Sequence, residues 1–269
     1  MPVLQPFHEV DALPEGALPP PNLSTLPPPG DMHLHISLGK QIGRGRCGVV
    51  HAVNMPSDAG LPPLVAKIGR FGYQSRIIRE ASAYEEVESL QGIAAPLCYG
   101  AFEGRLPDGC RLDVDLKAMR YTEHSRRQFD SDVYWADLDR RIRDAANPER
   151  VCVLLLERLS TRGLPVGKKL SKSLRKDIFD LCEDTSALYV LNRDLRYENI
   201  RAAGPSTAAA ICPRHKYAHK WRVIDLEMAE KYAAVPYNFH SHDGRRSFLD
   251  DVFDALEEGE IIYPRVEAA

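Results

Sequence analysis

Apolar and polar positions recur along this chain with two periods, and the switches between them divide it into elements. Residues 36–43 alternate as a strand does, and Val49-Val50-His51-Ala52-Val53 and Leu64-Val65-Ala66-Lys67-Ile68 are β-branched, strand-like runs. Turn-forming residues fill 54–63 between the last two. Over 74–90 the period lengthens, and Ile77, Tyr84 and Val87 fall on one helical face together with Glu80, an odd place for an unpaired charge. Two further strands are expected at 96–102 and 151–159. The 48 residues between them, 103–150, read as an insertion in which Tyr134, Leu138 and Ile142 suggest one helix. Leu174, Ile178, Leu181, Thr185 and Leu188 predict an amphipathic helix ending near Tyr189. Residues 192–199 are polar and loop-like. Short strands at 200–203 and 222–224 flank a Gly/Pro/Ala-rich insertion, and a last helix is expected over 248–256 with Gly259 to stop it.

The order is strands, one helix, strands, then helices. That is an α+β arrangement and disfavours a doubly wound parallel sheet. Nine of the 20 prolines lie in the first 30 residues, so 1–34 is expected to be an extended, disordered leader and 35–269 the folded domain. Pro19-Pro20-Pro21 and Pro27-Pro28-Pro29 would suit a module that binds polyproline helices, but a plain leader is the simpler reading. The net charge of −3 argues against bulk attraction to nucleic acid or to an anionic membrane. There is no apolar run of spanning length and no secretory signal pattern, and the six cysteines form no CxxC pair. A reduced cytoplasmic or nuclear protein, not a secreted one, is expected.

Candidate chemistry begins with Gly43-Arg44-Gly45-Arg46-Cys47-Gly48. A dinucleotide fold would require a helix directly after these glycines, and a strand-like run follows instead, so they sit on a strand–turn–strand hairpin. Glycines there let backbone N–H groups approach a polyphosphate. Lys67 stands on the next strand. Glu80, on a buried helical face, asks for a cation, and Lys67 is the natural one.

Downstream, Leu191-Asn192-Arg193-Asp194-Leu195-Arg196-Tyr197-Glu198-Asn199 resembles the H-R-D-L-x-x-x-N catalytic loop of the protein kinase superfamily. Val223-Ile224-Asp225-Leu226-Glu227 is similar to the strand leading into D-F-G, the glycine run fits G-x-G-x-x-G-x-V through Val50, and Leu154-Leu155-Leu156-Glu157-Arg158-Leu159 resembles the adenine hinge. Together these motifs cover roughly residues 35–230 and look like the compact kinase-like proteins of fungi with a shortened C-lobe. The resemblance implies a bilobal protein-kinase-like fold, with a five-stranded antiparallel N-lobe carrying one helix (about 35–158) and a reduced, mainly helical C-lobe (about 159–269). It implies ATP with Mg²⁺ in the cleft. The Gly43, Gly45 and Gly48 backbone would cover the phosphates, and Val50, Val65, Glu157 and Leu159 would surround the adenine. Lys67, held by Glu80, would meet the α- and β-phosphates. Asp194 would orient the acceptor hydroxyl, Arg196 would neutralise γ-phosphate charge, and Asn199 and Asp225 would hold the metal.

Several departures bear on activity. Asn192 stands for the usual His, Leu226 and Glu227 for the Phe and Gly of D-F-G, and Val65 for a small residue above the adenine. Only 44 residues follow Asp225, without an A-P-E motif, and the partner of Arg193 is unclear. The peptide platform is therefore expected to be reduced, or the chain to be a fragment of something longer. The leading expectation is an ATP-dependent phosphotransferase acting on a hydroxyl acceptor, by default Ser or Thr of a protein. The alternatives are a pseudokinase that binds nucleotide without turnover and a structural interaction domain. Cys212, His215 and His219 have the spacing of half a zinc site. A structural zinc needs four ligands and no second pair matches, though His240 and His242 could be recruited, so 204–220 reads as a solvated insertion. Cys47 reads as a small loop residue. Arg126, Arg127, Arg140 and Arg141 interleave with acids and read as a solvated face.

Overall fold

The computed structural model describes residues 35–55, 60–106, 108, 149–192, 194–205, 210–231 and 242–259, with the description of 242–248 confined to the helical backbone. The expected leader, the helix around Leu138, the arginine pairs of the insertion, Cys110, Arg193 and His240 lie outside these residues, as does the side chain of His242. The chain divides into two compact units. One comprises residues 32–81 and 98–157, and the other includes 82–97 and 158–269.

The first unit is built on a five-stranded antiparallel sheet. Strands β1 (Ser37–Arg44), β2 (Gly48–Asn54), β3 (Leu64–Gly69), β4 (Cys98–Arg105) and β5 (Arg150–Glu157) stand in the order β1-β2-β3-β5-β4. The alternation read from the sequence has a physical outcome here. Leu64 and Ala66 of β3 join Leu155 of β5 in one buried cluster, against which Val53, Met55, Tyr99 and Val153 pack. The intervening residues, Val65 and Lys67, point to the opposite face. The expected insertion begins later and ends sooner than its sequence limits. Glu103, Gly104 and Arg105 pair with Cys152, Val151 and Arg150, so the ladder extends into the polar stretch. The Arg150 guanidinium donates to both carboxylate oxygens of Glu103 at 2.8 and 2.7 Å, which suits residues whose apolar content alone does not mark a strand.

Helix α1 (Gln74–Glu86) follows β3, and a 3-10 turn (Glu88–Leu90) succeeds it, so the expected helix over 74–90 is two elements. Ile77, Tyr84, Val87 and Glu80 are all buried, as their common face requires.

The second unit contains α2 (Lys172–Ala187) and α3 (His242–Glu258), with two short antiparallel pairs. Strand β6 (Val190–Asn192) pairs with β9 (Ala229–Lys231), and β7 (Ile200–Ala202) pairs with β8 (Trp221–Val223). Ser171 caps α2 by accepting a hydrogen bond from Leu174 N at 3.2 Å. Ile178 and Leu181 are buried, as are Leu249, Phe253 and Leu256 of α3. Arg175 links the two helices, donating to Asp254 and Glu257 at 2.7 Å and lying over the Phe253 ring. Helix α3 starts six residues before the expected 248, and Gly259, at φ +85°, ends it as expected. One expectation is overturned. In the insertion after β7 Cys212 and His219 are buried at 0% and 2% exposure, so its described part is not wholly solvated. No helix among the described residues is long and apolar enough to cross a membrane.

Candidate functional site

The glycine turn joins β1 to β2. Gly45 N donates to Gly48 O at 2.9 Å, which closes it, and Gly43 pairs with Val50 in the ladder. Arg70 ties the turn down from the end of β3. Its backbone N donates to Cys47 O at 2.9 Å and its guanidinium to Gly45 O at 3.3 Å. The glycines are not equivalent. A Cβ on Gly48 would lie 3.1 Å from Ile68 O and 3.3 Å from Lys67 Cγ, so close packing favours glycine there. A Cβ on Gly43 or Gly45 would meet nothing nearer than 3.5 and 3.8 Å. Packing gives no reason for glycine at those two positions, whereas close approach of a ligand to the backbone does.

Lys67 lies mid-sheet, opposite Val50 of β2 and Leu154 of β5. Its Nζ donates to Glu80 Oε2 at 2.5 Å, with the glutamate side chain 1% exposed. The pairing expected from a charge on an apolar helical face is therefore present. Val65, two residues earlier on the same face of β3, is buried, and Val50 is partly so. Glu157 is buried at the end of β5, opposite Leu64. Leu159, in the other unit, is half-buried.

In the second unit Asn192, Asp194 and Asn199 converge through hydrogen bonds. Asn199 Nδ2 donates to Asp194 O at 2.9 Å and to Asp194 Oδ2 at 3.2 Å. Ile224 N donates to Asn199 O at 2.8 Å, which brings the residue before Asp225 to the loop. Asn192 completes the brace. Its Oδ1 accepts from Asp194 N at 3.0 Å and its Nδ2 donates to Asp225 O at 3.4 Å. The asparagine therefore joins the two acidic residues through their backbones. Arg196 Nη2 lies 3.3 Å from Asp194 Oδ2, and its Nε 3.7 Å from Glu198.

Asp225 has φ 60° and ψ 60°, the left-handed region that a residue other than glycine rarely enters. The chain makes its sharp turn at the acid itself. Glu227 then sits within a 3-10 turn (Leu226–Met228), where no positive φ is required. Position 227 therefore needs no glycine. Burial pushes the Asp194 carboxyl above its ordinary range, Asp225 and Glu227 push it further, and Arg196 and Asn199 oppose them. Glu227 thus belongs to the electrostatics of the site, although sequence reasoning treated it only as a departure. Its signal was an acid inside an otherwise apolar run.

These groups are hard oxygen donors gathered with one amide, a set suited to Mg²⁺. Asp225 and Glu227 raise the proton affinity of Asp194, and a divalent cation would relieve that. Space above Gly43 and Gly45, with Lys67 fixed by Glu80, likewise suits a polyphosphate. No protein-family model matches the chain, and no curated protein is significantly similar to it.

Proposed function

We propose that this chain is an ATP-dependent phosphotransferase of the protein-kinase-like type, with the bilobal architecture that name implies. The observation that carries the reading is the Lys67–Glu80 pair, 2.5 Å apart on a buried helical face. A buried ion pair stabilises a fold poorly compared with apolar residues of the same volume, so its presence calls for a role other than packing. Holding an ammonium rigid for the α- and β-phosphates is such a role. The Gly43–Gly48 backbone would cover the phosphates, with Val50, Val65, Glu157 and Leu159 around the adenine. Asn199 and Asp225 would hold Mg²⁺, which neutralises phosphate charge when bound. Asp194 would take the proton of the acceptor hydroxyl, for which its raised proton affinity is suitable, and Arg196 would face the transferred group. The default acceptor is Ser or Thr of a protein.

The test is Mg-ATP turnover in the purified chain with Asp194→Asn as the comparison. The variant is expected to lose roughly 10²–10⁴-fold, the range for removing a general base. Equal rates in both proteins would sink the assignment. A second reading, a nucleotide-binding pseudokinase, is favoured by one contact. Arg196 engages the same Asp194 oxygen that Asn199 holds, which would block proton transfer if it persisted. That reading requires nucleotide binding with no turnover in wild type or in Arg196→Ala.

A further inference from the structure

Helix α2 has a second buried face that the apolar periodicity does not account for. Asp177, Asp180 and Asp184, at spacings of three and four residues, are all buried, and Asp184 is wholly so. Facing them is the segment after β7. Cys212 Sγ lies 3.2 Å from Asp184 Oδ2 and 3.4 Å from His215 Nδ1. His219 Nε2 lies 3.1 Å from Asp184 Oδ2, and His215 Nδ1 lies 3.5 Å from Asp184 Oδ1. The four donor atoms all fall within 4.8 Å of one another.

We propose that Cys212, His215, His219 and Asp184 form a structural zinc site that staples the β7–β8 insertion to α2. Zinc bonds of about 2.3 Å to sulfur and about 2.0–2.1 Å to nitrogen or oxygen, set tetrahedrally, put the ligand atoms about 3.3–3.6 Å apart. The four separations given, 3.1–3.5 Å, lie near that spacing, with Asp184 Oδ2 facing Cys212 and His219 and Oδ1 facing His215. The ligand that sequence reasoning lacked is Asp184, which lies 28 residues upstream on another element and has no motif to announce it.

Two further observations point to a metal. Asp184 Oδ1 is buried and accepts no hydrogen bond among the described residues, with Arg214 Nε and His215 Nδ1 each 3.5 Å from it. Each imidazole is also oriented from behind by a carboxylate. Asp177 Oδ1 lies 2.6 Å from His219 Nδ1, and Glu183 Oε2 lies 3.0 Å from His215 Nε2. Carboxylate–histidine–metal relays have this form, because the outer acid fixes the tautomer and raises ligand basicity. Asp177 is itself fixed by Lys220 N at 2.9 Å. The turn at Cys212 aims backbone N–H groups at the sulfur, with His215 N 3.4 Å from it, and is closed by Lys216 N to Cys212 O and Cys212 N to Tyr217 O at 2.9 Å each. Four protein ligands leave no open coordination position, so the site is structural and not catalytic. On binding, zinc displaces the Cys212 thiol proton and the Nε2 proton of the His219 imidazolium, and both pass to solvent. Thiolate and carboxylate then balance the two positive charges.

The competing account is a metal-free cluster in which His219 is an imidazolium between two acids. Burial pulls its pKa down, but Asp177 and Asp184 outweigh that and leave it at about 9. Metal analysis decides between the two. The full chain, dialysed after exposure to zinc, is expected to retain about one zinc per molecule, as is the His240→Ala/His242→Ala variant. Cys212→Ser with Asp184→Asn should retain less than a tenth as much. Asp177→Asn should bind roughly 10- to 100-fold more weakly, as outer-partner losses do. In case the ligand variants fold poorly, cobalt supplies a second reading. Wild type with Co²⁺ should show a thiolate-to-cobalt charge-transfer band, and Cys212→His should keep the cobalt but lose the band. A wild-type chain that holds no zinc overturns the proposal. So does zinc retained undiminished by the double ligand variant, or lost from His240→Ala/His242→Ala.

Discussion

At the scale of single residues, Lys67 and Glu80 can be separated into what they do for folding and what they do for chemistry. Replacing Lys67 by Met leaves a carboxylate at 1% exposure short of its ammonium. Removing one partner of such a pair costs about 3–5 kcal/mol, whereas replacing both by apolar residues of similar volume is often neutral. Lys67→Met is therefore expected to lower the unfolding midpoint clearly, and Lys67→Met/Glu80→Leu to restore most of it. Both should lack turnover. Chemical denaturation alongside the ATPase assay checks this, and a double variant as unstable as the single one would contradict it. Asp194 behaves oppositely. Its carboxyl is raised from an ordinary 3.8, chiefly by burial. The folded state then binds its proton more tightly than the unfolded chain does. The penalty is absent below about pH 3.8 and complete once pH exceeds the raised value. Asp194→Asn removes it, so the variant should melt higher than wild type near pH 7 and lose that advantage on acidification. Thermal denaturation at several pH values measures the crossing, and a variant less stable at neutral pH would show that the Arg196 contact outweighs burial.

At the scale of elements, the glycine turn offers the sharpest contrast. A methyl on Gly48 would crowd Ile68 O and Lys67 Cγ at 3.1 and 3.3 Å, so Gly48→Ala should press on β2–β3 pairing and reduce stability. Gly43→Ala and Gly45→Ala meet only ordinary contacts. They should fold normally and weaken Mg-ATP binding instead. Calorimetry on the three variants tests the distinction, and unchanged affinity in both of the latter would remove the glycine turn from the site. The strands were legible in the sequence because period-two alternation and β-branched residues coincide there, as in β3. The Lys67–Glu80 pair was legible because a charge interrupts an apolar helical face. The acidic face of α2 was not. Asp177, Asp180 and Asp184 flank the apolar stripe, where acids ordinarily meet water, and the residues that cover them belong to a segment more than 25 positions further on. The brace of Asn192 and the left-handed turn at Asp225 were hidden for a related reason. Each depends on a backbone atom brought near by β6–β9 and β7–β8 pairing; the strands at 200–203 and 222–224 were expected, but β6 and β9, three residues each, leave no periodic trace. That same β7–β8 hairpin starts one residue after Asn199 and ends two before Asp225. A staple on its far portion would therefore steady the spacing of the two proposed metal-binding side chains.

At the scale of the whole molecule, the proposed reaction draws on both compact units, since Lys67 and the glycine turn belong to one and Asn199 and Asp225 to the other. A ligand that binds only the folded chain stabilises it by about 2.7 kcal/mol at a hundred times its dissociation constant. For a chain of this size that raises the melting temperature by roughly 5–10 °C. If one Mg-ATP uses both groups, a substitution in either unit should abolish most of the shift. Lys67→Met/Glu80→Leu is the suitable change in the first unit because it leaves no lone buried charge. Asp225→Asn is suitable in the second, because asparagine tolerates the left-handed backbone at φ 60° and keeps the turn while weakening the metal. Both variants should melt near wild type without nucleotide and fail to respond to it. The metal supplies a further check, since ATP without Mg²⁺ should stabilise wild type less and should affect wild type and Asp225→Asn alike. A full shift in Asp225→Asn with none in the lysine variant would mean that the first unit binds nucleotide alone. Phosphoryl transfer through Asn199 and Asp225 would then have to be abandoned, whatever the fold resembles.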